Sequence, residues 1–435
     1  MDANDRSIAV FTMLGHGLVH WFEMSIPIFL VAWRGAFDVS LVLVGLVVAL
    51  GYAPFGLGAL PGGMLADRFG ARRVVLACFA GMTGSFLLLA AATSMPTIAA
   101  ALLLWGTAAS VYHPAGNSLI STGASRRGTV FAYHGMAGNV GLAAGPFVTA
   151  TLLISLDWST VAALLSVPGL VALAYAWRVE FDPTAATADT EAGTGTPLSV
   201  PTLLANSRRL FAGGFLVVFA LVTFEGLFYR GVLTYLPEIL GDLDAVEAIG
   251  GSDTDGDLAG IEPGDFVFVG LLVVGIVGQY VGGKLTDRVR VERGLLAIFG
   301  ILAVLAVAFV PVAALGLGPL LGLCGLLGFF LFAIQPFYQV AVALYTPADT
   351  RGLSYGYTFL AEFGLGATSV AIGGLVFRGR VRVGGFLVPR AFSFPSGVLA
   401  AGVVAPGGRG PPPQHPATPA GPGPRRRGHR RGEGD

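Results

Sequence analysis

Charged side chains are scarce in this chain. They make up 12% of its 435 residues, whereas 54% of the residues are hydrophobic and the mean hydropathy is +0.74. Soluble domains of ordinary composition carry about 25% charged residues. The composition therefore excludes an ordinary soluble protein and predicts a polytopic membrane protein.

Alternation of polar and apolar residues, the mark of an outer-membrane barrel, does not dominate any part of the sequence. Instead, apolar runs of about 20 residues recur, and a helix of that length crosses roughly 30 Å of hydrocarbon. The predicted fold class is an all-α membrane protein. The first apolar stretch, from Ile8, is too long for a cleavable signal peptide, so we expect a retained span.

Cysteine is almost absent. Cys78 and Cys324 both lie in apolar runs, where they are expected to act as small hydrophobic residues rather than as a disulfide or metal pair. No disulfide framework is predicted.

The net charge of zero hides an uneven distribution. Residues 1–377 carry 16 basic and 24 acidic residues, a net charge of −8, and ten basic residues follow Phe377. If the N-terminus is cytoplasmic, the loop arginines before Phe377 lie inside, with Arg34 outside, as the positive-inside rule requires. We therefore predict a multi-pass protein of the plasma or inner membrane with a cytoplasmic N-terminus.

The apolar runs form two sets. Between them, residues 178–209 include the polar run DPTAATADTEAGTGTP, which predicts a cytoplasmic linker. The linker would join an N-terminal six-helix bundle, residues 1–177, to a C-terminal helical bundle, residues 210–405. The eleven clear spans are roughly 8–32, 41–60, 74–93, 97–121, 129–155, 158–177, 210–236, 266–282, 294–313, 318–345 and 352–377.

The sequence changes character after Phe377. A twelfth span between Gly385 and Val404 is doubtful because arginine and proline interrupt it, and a shift of reading frame near residue 378 is the alternative. Residues 406–435 are rich in proline, glycine and arginine and are expected to form a disordered tail.

Two runs mark an internal repeat. Gly62 to Arg73 reads GGMLADRFGARR, Gly282 to Arg293 reads GGKLTDRVRVER, and both follow a long apolar segment. The paired aspartates, Asp67 and Asp287, are 220 residues apart. Internal repeats of this kind are typical of transporter folds, so two homologous halves are predicted.

Eight ionisable side chains lie within the predicted spans. A charged side chain costs roughly 2.5–3.5 kcal/mol at mid-membrane on insertion scales, so such groups are expected to face a cavity or a partner. They are His16, His20, Glu23, His113, His134, Glu225, Arg230 and Glu362.

Three of these residues share one face of span one. His16, His20 and Glu23 are spaced by four and three residues, and we expect them to line the route between the halves, together with His113 and His134. Imidazole changes charge near neutral pH, which favours protons on this route. Zinc is the alternative, but only the span-one residues have local ligand spacing, so no metal is assigned.

Spans seven and eleven carry the remaining ionisable groups. Glu225 and Tyr229 are one turn apart on span seven and Arg230 follows them. Either Glu225 and Arg230 bind a polar or anionic substrate, or Arg230 pairs with Glu225 or Glu362, and the sequence leaves both open. Together with Glu23, the two glutamates are hypothesised to carry protons or substrate.

Proline and glycine residues in spans four and five indicate places where the helices could bend or move during gating. His113 precedes Pro114, which frees a backbone carbonyl and bends span four beside an ionisable group, as a gate requires. Span five contains Gly141, Gly145 and Pro146, whose spacing fits either close helix packing or gating.

These motifs resemble the major facilitator superfamily and, within it, the fosmidomycin resistance protein group of drug exporters. The second copy of the loop motif departs from the family pattern, since Arg290 stands where a glycine is expected. The span-four and span-five residues also resemble that group, with Thr149 and Ala150 departing from the antiporter motif. The loop motif is carried by Gly63, Leu65, Asp67, Arg68, Gly70, Arg72 and Arg73, and in the second copy by Gly283, Leu285, Asp287 and Arg288.

The resemblance implies two six-helix bundles around a central cavity, working by alternating access. It implies a proton-coupled exporter of a small organic compound, with the motif aspartates and arginines closing the halves on the cytoplasmic side. The expected partners are substrate, protons and the bilayer, without nucleic acid or cofactor, in a monomer. The alternatives are an intramembrane enzyme and a non-transporting sensor or defective transporter with a disrupted C-terminus.

Overall fold

A computed structural model describes residues 1–187, 199–241, 243, 246, 263–366, 368 and 369, all within one compact unit. This described part contains helices and no strand. A 3-10 turn at Ile26–Phe29 follows the first helix, and a π-helical turn at Leu360–Leu365 follows the last. The α-helices are α1 Ala3–Ser25, α2 Leu30–Phe37, α3 Leu41–Leu57, α4 Ala59–Phe69, α5 Ala71–Ala90, α6 Met95–Ser110, α7 Tyr112–Gly123, α8 Arg127–Leu153, α9 Trp158–Arg178, α10 Val200–Phe211, α11 Phe215–Gly241, α12 Pro263–Thr286, α13 Val291–Ala313, α14 Leu317–Tyr345 and α15 Arg351–Phe359.

Local sequence explains where several helices begin. The side chains of Asp2, Ser40, Asp157 and Ser199 each accept a hydrogen bond from a backbone N–H of the first turn of the following helix. Such caps satisfy donors that a helix leaves unpaired at its N-terminus. After Asp2, Ser40 and Asp157, the apolar interiors that follow favour helix because the bilayer cannot satisfy free backbone groups.

Nine helical segments in the described ranges are long and apolar enough to cross a membrane, or ten if a bent pair counts as one span. They match the first ten predicted spans. The eleventh predicted span begins with α15, but its end lies outside the described residues. So do the doubtful twelfth span and the tail, residues 406–435.

Two elements differ from the sequence prediction. Span two does not end near residue 60: α3 and α4 meet at a bend of 48°, and α4 runs to Phe69, so the first repeat motif is largely helical rather than a loop. The predicted linker also contains a helix, α10, capped by Ser199. The two arginines in its last turn, Arg208 and Arg209, favour that helix through its dipole.

Glycines let α1 and α8 approach closely within the first half. A Cβ at Gly141 would lie 2.2 Å from the Gly17 carbonyl oxygen, and one at Gly145 would lie 2.5 Å from that of Trp21. Both distances are shorter than van der Waals contact. The close-packing interpretation of the span-five glycines therefore has direct support in these contacts.

We expect Gly141→Leu to lower the stability of the purified protein because the new side chain must separate α1 from α8. Overpacking of this kind costs about 1–3 kcal/mol. Gly84→Leu on α5 is the matched control, since a Cβ at Gly84 meets nothing within 4 Å. Thermal unfolding in detergent measures both, and equal midpoints for the two variants would contradict the packing role.

The two halves meet through two symmetric helix pairs. In one, α4 of the first half packs against α15 of the second; in the other, α12 of the second half packs against α8 of the first. The repeat motifs lie at the ends of α4 and α12. This arrangement brings each motif to the start of a helix from the opposite half.

Candidate functional site

The four span histidines form one cluster in the first half. His16 and His20 on α1 have ring centroids 4.8 Å apart, and His113 on α7 lies 5.1 Å from His16. The ring of His134 on α8 stacks on His16 at 4.0 Å. All four are buried. The tertiary structure therefore brings these four histidines together in the interior of the first half.

Hydrogen bonds fix how the α1 histidines are turned. His16 Nδ1 lies 2.8 Å from the carbonyl oxygen of His134, and His20 Nδ1 lies 2.7 Å from Glu23 Oε2. A carbonyl oxygen and an ionised carboxylate can only accept, so with Glu23 ionised both bonds place the proton on Nδ1. The two Nε2 atoms then face each other at 3.1 Å.

The other two histidines differ in their bonding. Both ring nitrogens of His113 and both of His134 are buried without a hydrogen-bond partner among the described residues. Unpaired buried polar atoms are costly, and in native proteins they often mark a functional site or an unseen ligand. They are expected to have a ligand or proton partner in the working protein.

The second half holds a cluster of carboxylates. Glu225 on α11 is 1% exposed, and neither of its carboxylate oxygens has a hydrogen-bond partner among the described residues. Glu362 accepts a hydrogen bond of 2.9 Å from the Tyr338 hydroxyl. The Gly226 Cα lies against the backbone of Glu362, since a Cβ there would be 2.7 Å from the Glu362 Cα.

Glu362 belongs to the π-helical turn, Leu360–Leu365. Such turns interrupt the regular backbone bonding of a helix and occur frequently at functional sites. The sequence predicted a cavity position for Glu362 from the repeat. It gave no signal for the turn itself.

Phe363 joins the two clusters. The Arg230 guanidinium lies 4.5 Å from its ring centroid, and the His113 ring stacks near the same phenylalanine at 5.6 Å. His113 also stacks on Phe359 at 4.6 Å. Among the described residues, no nitrogen of Arg230 lies within 4.0 Å of a carboxylate oxygen of Glu225 or Glu362, so Arg230 forms no close ion pair with either glutamate.

Sequence reasoning missed several polar and aromatic residues near these clusters. Gln279 on α12 donates to Gln335 on α14 at 2.5 Å, and Phe332 packs its ring against that of Tyr229, which the sequence did predict. A glutamine isolated in the apolar run of span eight was a usable signal, by the same insertion cost that singled out the charges. Phe359 and Phe363 carried none, because aromatic residues are common in membrane helices.

Asp67 connects the halves through what we call the first latch, formed with Gly352 and Leu353. Gly352 N donates to Asp67 Oδ1 at 2.7 Å, and Leu353 N donates to Oδ2 at 2.8 Å. These N–H groups belong to the first turn of α15, a helix without a capping side chain of its own. A carboxylate is favoured there by both the unpaired donors and the helix dipole.

Asp287 forms the second latch with Thr129, in the first turn of α8. Thr129 N donates to Asp287 Oδ2 at 3.2 Å, and the Thr129 hydroxyl donates to the same oxygen at 2.5 Å. Arg126 lies 3.8 Å from that oxygen as well. This helix also lacks a capping side chain of its own, so each half caps a helix of the other.

Two glycine pairs allow these approaches. A Cβ at Gly63 would lie 2.1 Å from the Gly352 carbonyl oxygen, and one at Gly283 would lie 2.6 Å from that of Gly128. Gly70 has a different role: it ends α4 with φ +86°, a conformation that favours glycine. Arg290, its counterpart, has φ −57°, so the second copy needs no glycine there.

The remaining predicted gating residues surround the latches or lie on the helices behind them. Arg72 donates to the Val179 carbonyl oxygen at 2.7 Å. Arg68 and Arg73 line a cavity of about 430 Å³ beside Asp67, and Arg288 follows Asp287 in the turn after α12. Pro114 lies in the first turn of α7, directly after the break at Val111 that separates α6 from α7.

A helical membrane bundle whose two halves meet at buried ionisable residues, and cap each other's helices at repeated motifs, has the architecture of a transporter that works by rocking its halves. Residues 12–371 match the Major Facilitator Superfamily. The chain belongs to this superfamily and is a multi-pass membrane transporter, not an enzyme.

Solved structures of the superfamily share the fold at low identity. The proton:xylose symporter XylE, bound to 6-bromo-6-deoxy-D-glucose, has TM-score 0.69 and 17% identity, with 92% of this chain and 95% of that chain covered. The human organic anion transporter MFSD10 has TM-score 0.68 and 18% identity, covering 92% and 100%. A bacterial homologue of the iron transporter ferroportin, in an outward-facing state, has TM-score 0.65 and 14% identity, covering 91% and 98%.

Curated protein sequences include no match to this chain. The predicted likeness to the fosmidomycin resistance group therefore stays a prediction, and the solved structures support the fold alone.

Proposed function

We propose that this chain is a proton-coupled secondary transporter that exports a small organic compound by alternating access. The observation that carries the proposal is the buried Glu225, whose carboxylate lacks a hydrogen-bond partner among the described residues. A charged carboxylate without a partner is costly in a buried environment, so burial favours the protonated form of Glu225. A group that must take up a proton when enclosed, and release it on exposure to water, couples proton movement to rocking.

Glu362 is the second proposed proton site, because it lies in the π-helical turn beside Phe363, where the halves meet. The compound is proposed to bind between Arg230 and Tyr229 of the second half and the histidine cluster with Glu23 of the first. Aromatic rings of Phe359 and Phe363 supply apolar contacts in the same region. Apolar walls with few polar groups are typical of small-molecule sites.

The proposed organisation follows the sequence repeat: an N-terminal bundle, residues 1–177, a cytoplasmic linker, 178–209, a C-terminal bundle, 210–405, and a tail, 406–435. The N-terminus is proposed to be cytoplasmic because nearly all loop arginines then lie inside. Both latches would then close the cytoplasmic side. Export is supported by the likeness of Gly141, Gly145 and Pro146 to the antiporter motif of drug exporters, and a monomer is proposed to suffice.

A non-transporting sensor is the second candidate. The observation that favours it is the interrupted sequence after Phe377, where a defective last helix would leave the second bundle incomplete. Such a protein would bind its compound without moving it.

Proteoliposomes containing the full chain and a pH-sensitive dye test the proposal. With an imposed pH gradient and a panel of small organic compounds, we expect at least one compound to cause a proton flux that empty vesicles lack. Binding of a compound without any flux of protons or compound would favour the sensor. Transport of a compound at the same rate with and without the pH gradient would refute proton coupling.

A further inference from the structure

We infer that His16, His20 and His113 form a binding site for one divalent transition-metal ion of the Zn²⁺ class. One ring nitrogen from each residue lies within 4.8 Å of those of the other two. The sequence by itself assigns no metal, because local spacing on span one offers only two histidines and a carboxylate. Tertiary structure replaces that set with three imidazoles from two helices.

The hydrogen bonds of the α1 histidines set their unprotonated nitrogens toward each other. Each Nδ1 must donate, His16 to the His134 carbonyl oxygen and His20 to Glu23. In neutral rings both Nε2 atoms then carry lone pairs, and these face each other at 3.1 Å. Two lone pairs at that distance repel unless a cation lies between them.

The separation fits a shared metal ion. Zn–N bonds of about 2.0–2.1 Å at tetrahedral angles put neighbouring ligand nitrogens roughly 3.3–3.5 Å apart. The His16 and His20 nitrogens are within a few tenths of an ångström of that spacing, so only His113 must turn inward. No hydrogen bond among the described residues opposes that turn, since both His113 nitrogens lack a partner, although the ring would have to shift on the Phe359 and Phe363 rings that it stacks against.

Glu23 completes the pattern as a supporting residue rather than a ligand. Its bond to His20 Nδ1 orients the imidazole and raises the basicity of Nε2, the arrangement found behind metal-binding histidines in many proteins. The Tyr52 hydroxyl donates to the Glu23 carbonyl oxygen at 2.6 Å and steadies the same turn of α1. One ionised carboxylate beside three neutral rings offsets half of the charge of a divalent cation.

Three protein ligands leave a fourth tetrahedral position open. His113 stacks on Phe359 and Phe363 of the second half, so the whole site lies near the meeting of the halves. Water or an oxygen or nitrogen atom of a bound solute is the chemistry that would complete it.

Metal binding to the purified full chain, carrying no polyhistidine tag, tests the inference without substrate or a proton gradient. Titration with Co²⁺ is expected to give the visible bands of four-coordinate cobalt at one equivalent, and Zn²⁺ should displace it. X-ray absorption of the Zn²⁺-loaded protein should show imidazole nitrogens at about 2.0–2.1 Å. Because transport is not measured, the result is independent of the proposed function.

Variants separate this site from other histidines. His113→Asn should weaken binding by more than roughly 100-fold, and Glu23→Gln by roughly 10- to 100-fold with unchanged stoichiometry. His134→Gln is the matched control inside the cluster, and His415→Asn with His429→Asn is the control for the remaining histidines; both should keep one equivalent. Should His113→Asn fail to elute as a single folded species, His16→Gln takes its place.

Two outcomes overturn the inference. One is the absence of any stoichiometric binding of Co²⁺ or Zn²⁺ to the wild-type protein, which would leave a shared proton as the cation between His16 and His20. The other is binding that persists in His113→Asn and disappears in the variant that lacks His415 and His429.

Discussion

Replacing Asp67 with asparagine is expected to open the first latch, and with a larger effect than the same change at Asp287. Asp67 uses both carboxylate oxygens, one for Gly352 N and one for Leu353 N. Asparagine has a single side-chain oxygen, so its amide group must face one of these two N–H donors. The loss of a hydrogen bond to a charged group is worth roughly 1.5–3 kcal/mol.

Asp287→Asn should be milder for a geometric reason. Both bonds from Thr129 end on one oxygen of Asp287, so an asparagine oxygen in that place can accept both. The change removes the charge but keeps the pairing. The two aspartates thus occupy matching positions in the repeat, but asparagine should be tolerated better at Asp287 than at Asp67.

The measurement is the distance between spin labels at two exposed positions near the latches. One is Glu180→Cys, just after α9 of the first half, and the other is Val289→Cys, just after α12 of the second. Cys78 and Cys324 are buried and should not react. A loss of 1.5–3 kcal/mol shifts the ratio of open to closed latches by roughly 10- to 100-fold, which should appear as a longer distance in Asp67→Asn. Equal distributions in the two asparagine variants would contradict the asymmetry.

Glu362→Gln is expected to abolish proton-driven transport while leaving exchange of compound across the membrane. The amide can still accept the Tyr338 hydrogen bond, so the turn should keep its shape, but it cannot bind and release a proton. The coupling free energy that disappears corresponds to roughly a 5- to 150-fold loss of gradient-driven accumulation. Accumulation and counterflow in the same proteoliposomes measure the two activities separately.

Two further substitutions serve as controls, one far from Glu362 and one at the residue that donates a hydrogen bond to it. Glu180→Gln alters an exposed glutamate after α9 and should leave coupling intact. Tyr338→Phe removes the hydroxyl that positions Glu362 and should weaken coupling without abolishing it. If Glu225→Gln alone uncouples transport, the proton role belongs to Glu225, and the assignment to Glu362 is wrong.

Much of the fold could be predicted from the sequence because a membrane helix is marked by its own run of apolar residues. Ten of the predicted spans coincide with helices or a bent helix pair, since each needs only a sufficient apolar run to satisfy its own backbone. The family was readable from the motif around Asp67 for a similar reason. The family match over residues 12–371 confirms that prediction.

Helix ends were less readable. The motif was expected in a loop, yet α4 continues to Phe69, because packing against α15 supports a turn that sequence hydropathy places outside the apolar run. The helix at Val200–Phe211 was likewise missed in a stretch that looked like linker, because its pattern is amphipathic rather than apolar.

By itself, the sequence determined which residues are expensive to bury and therefore useful: the histidines and glutamate of span one, and the carboxylates of spans seven and eleven. It also determined the repeat, because spacing along the chain is a local property. Only the tertiary structure decided their partners. It joined His113 to the α1 histidines, set Arg230 on Phe363 rather than on a carboxylate, and aimed Asp67 at the first turn of α15. Contacts between helices far apart in the chain depend on the packing of the whole bundle, which no single span encodes.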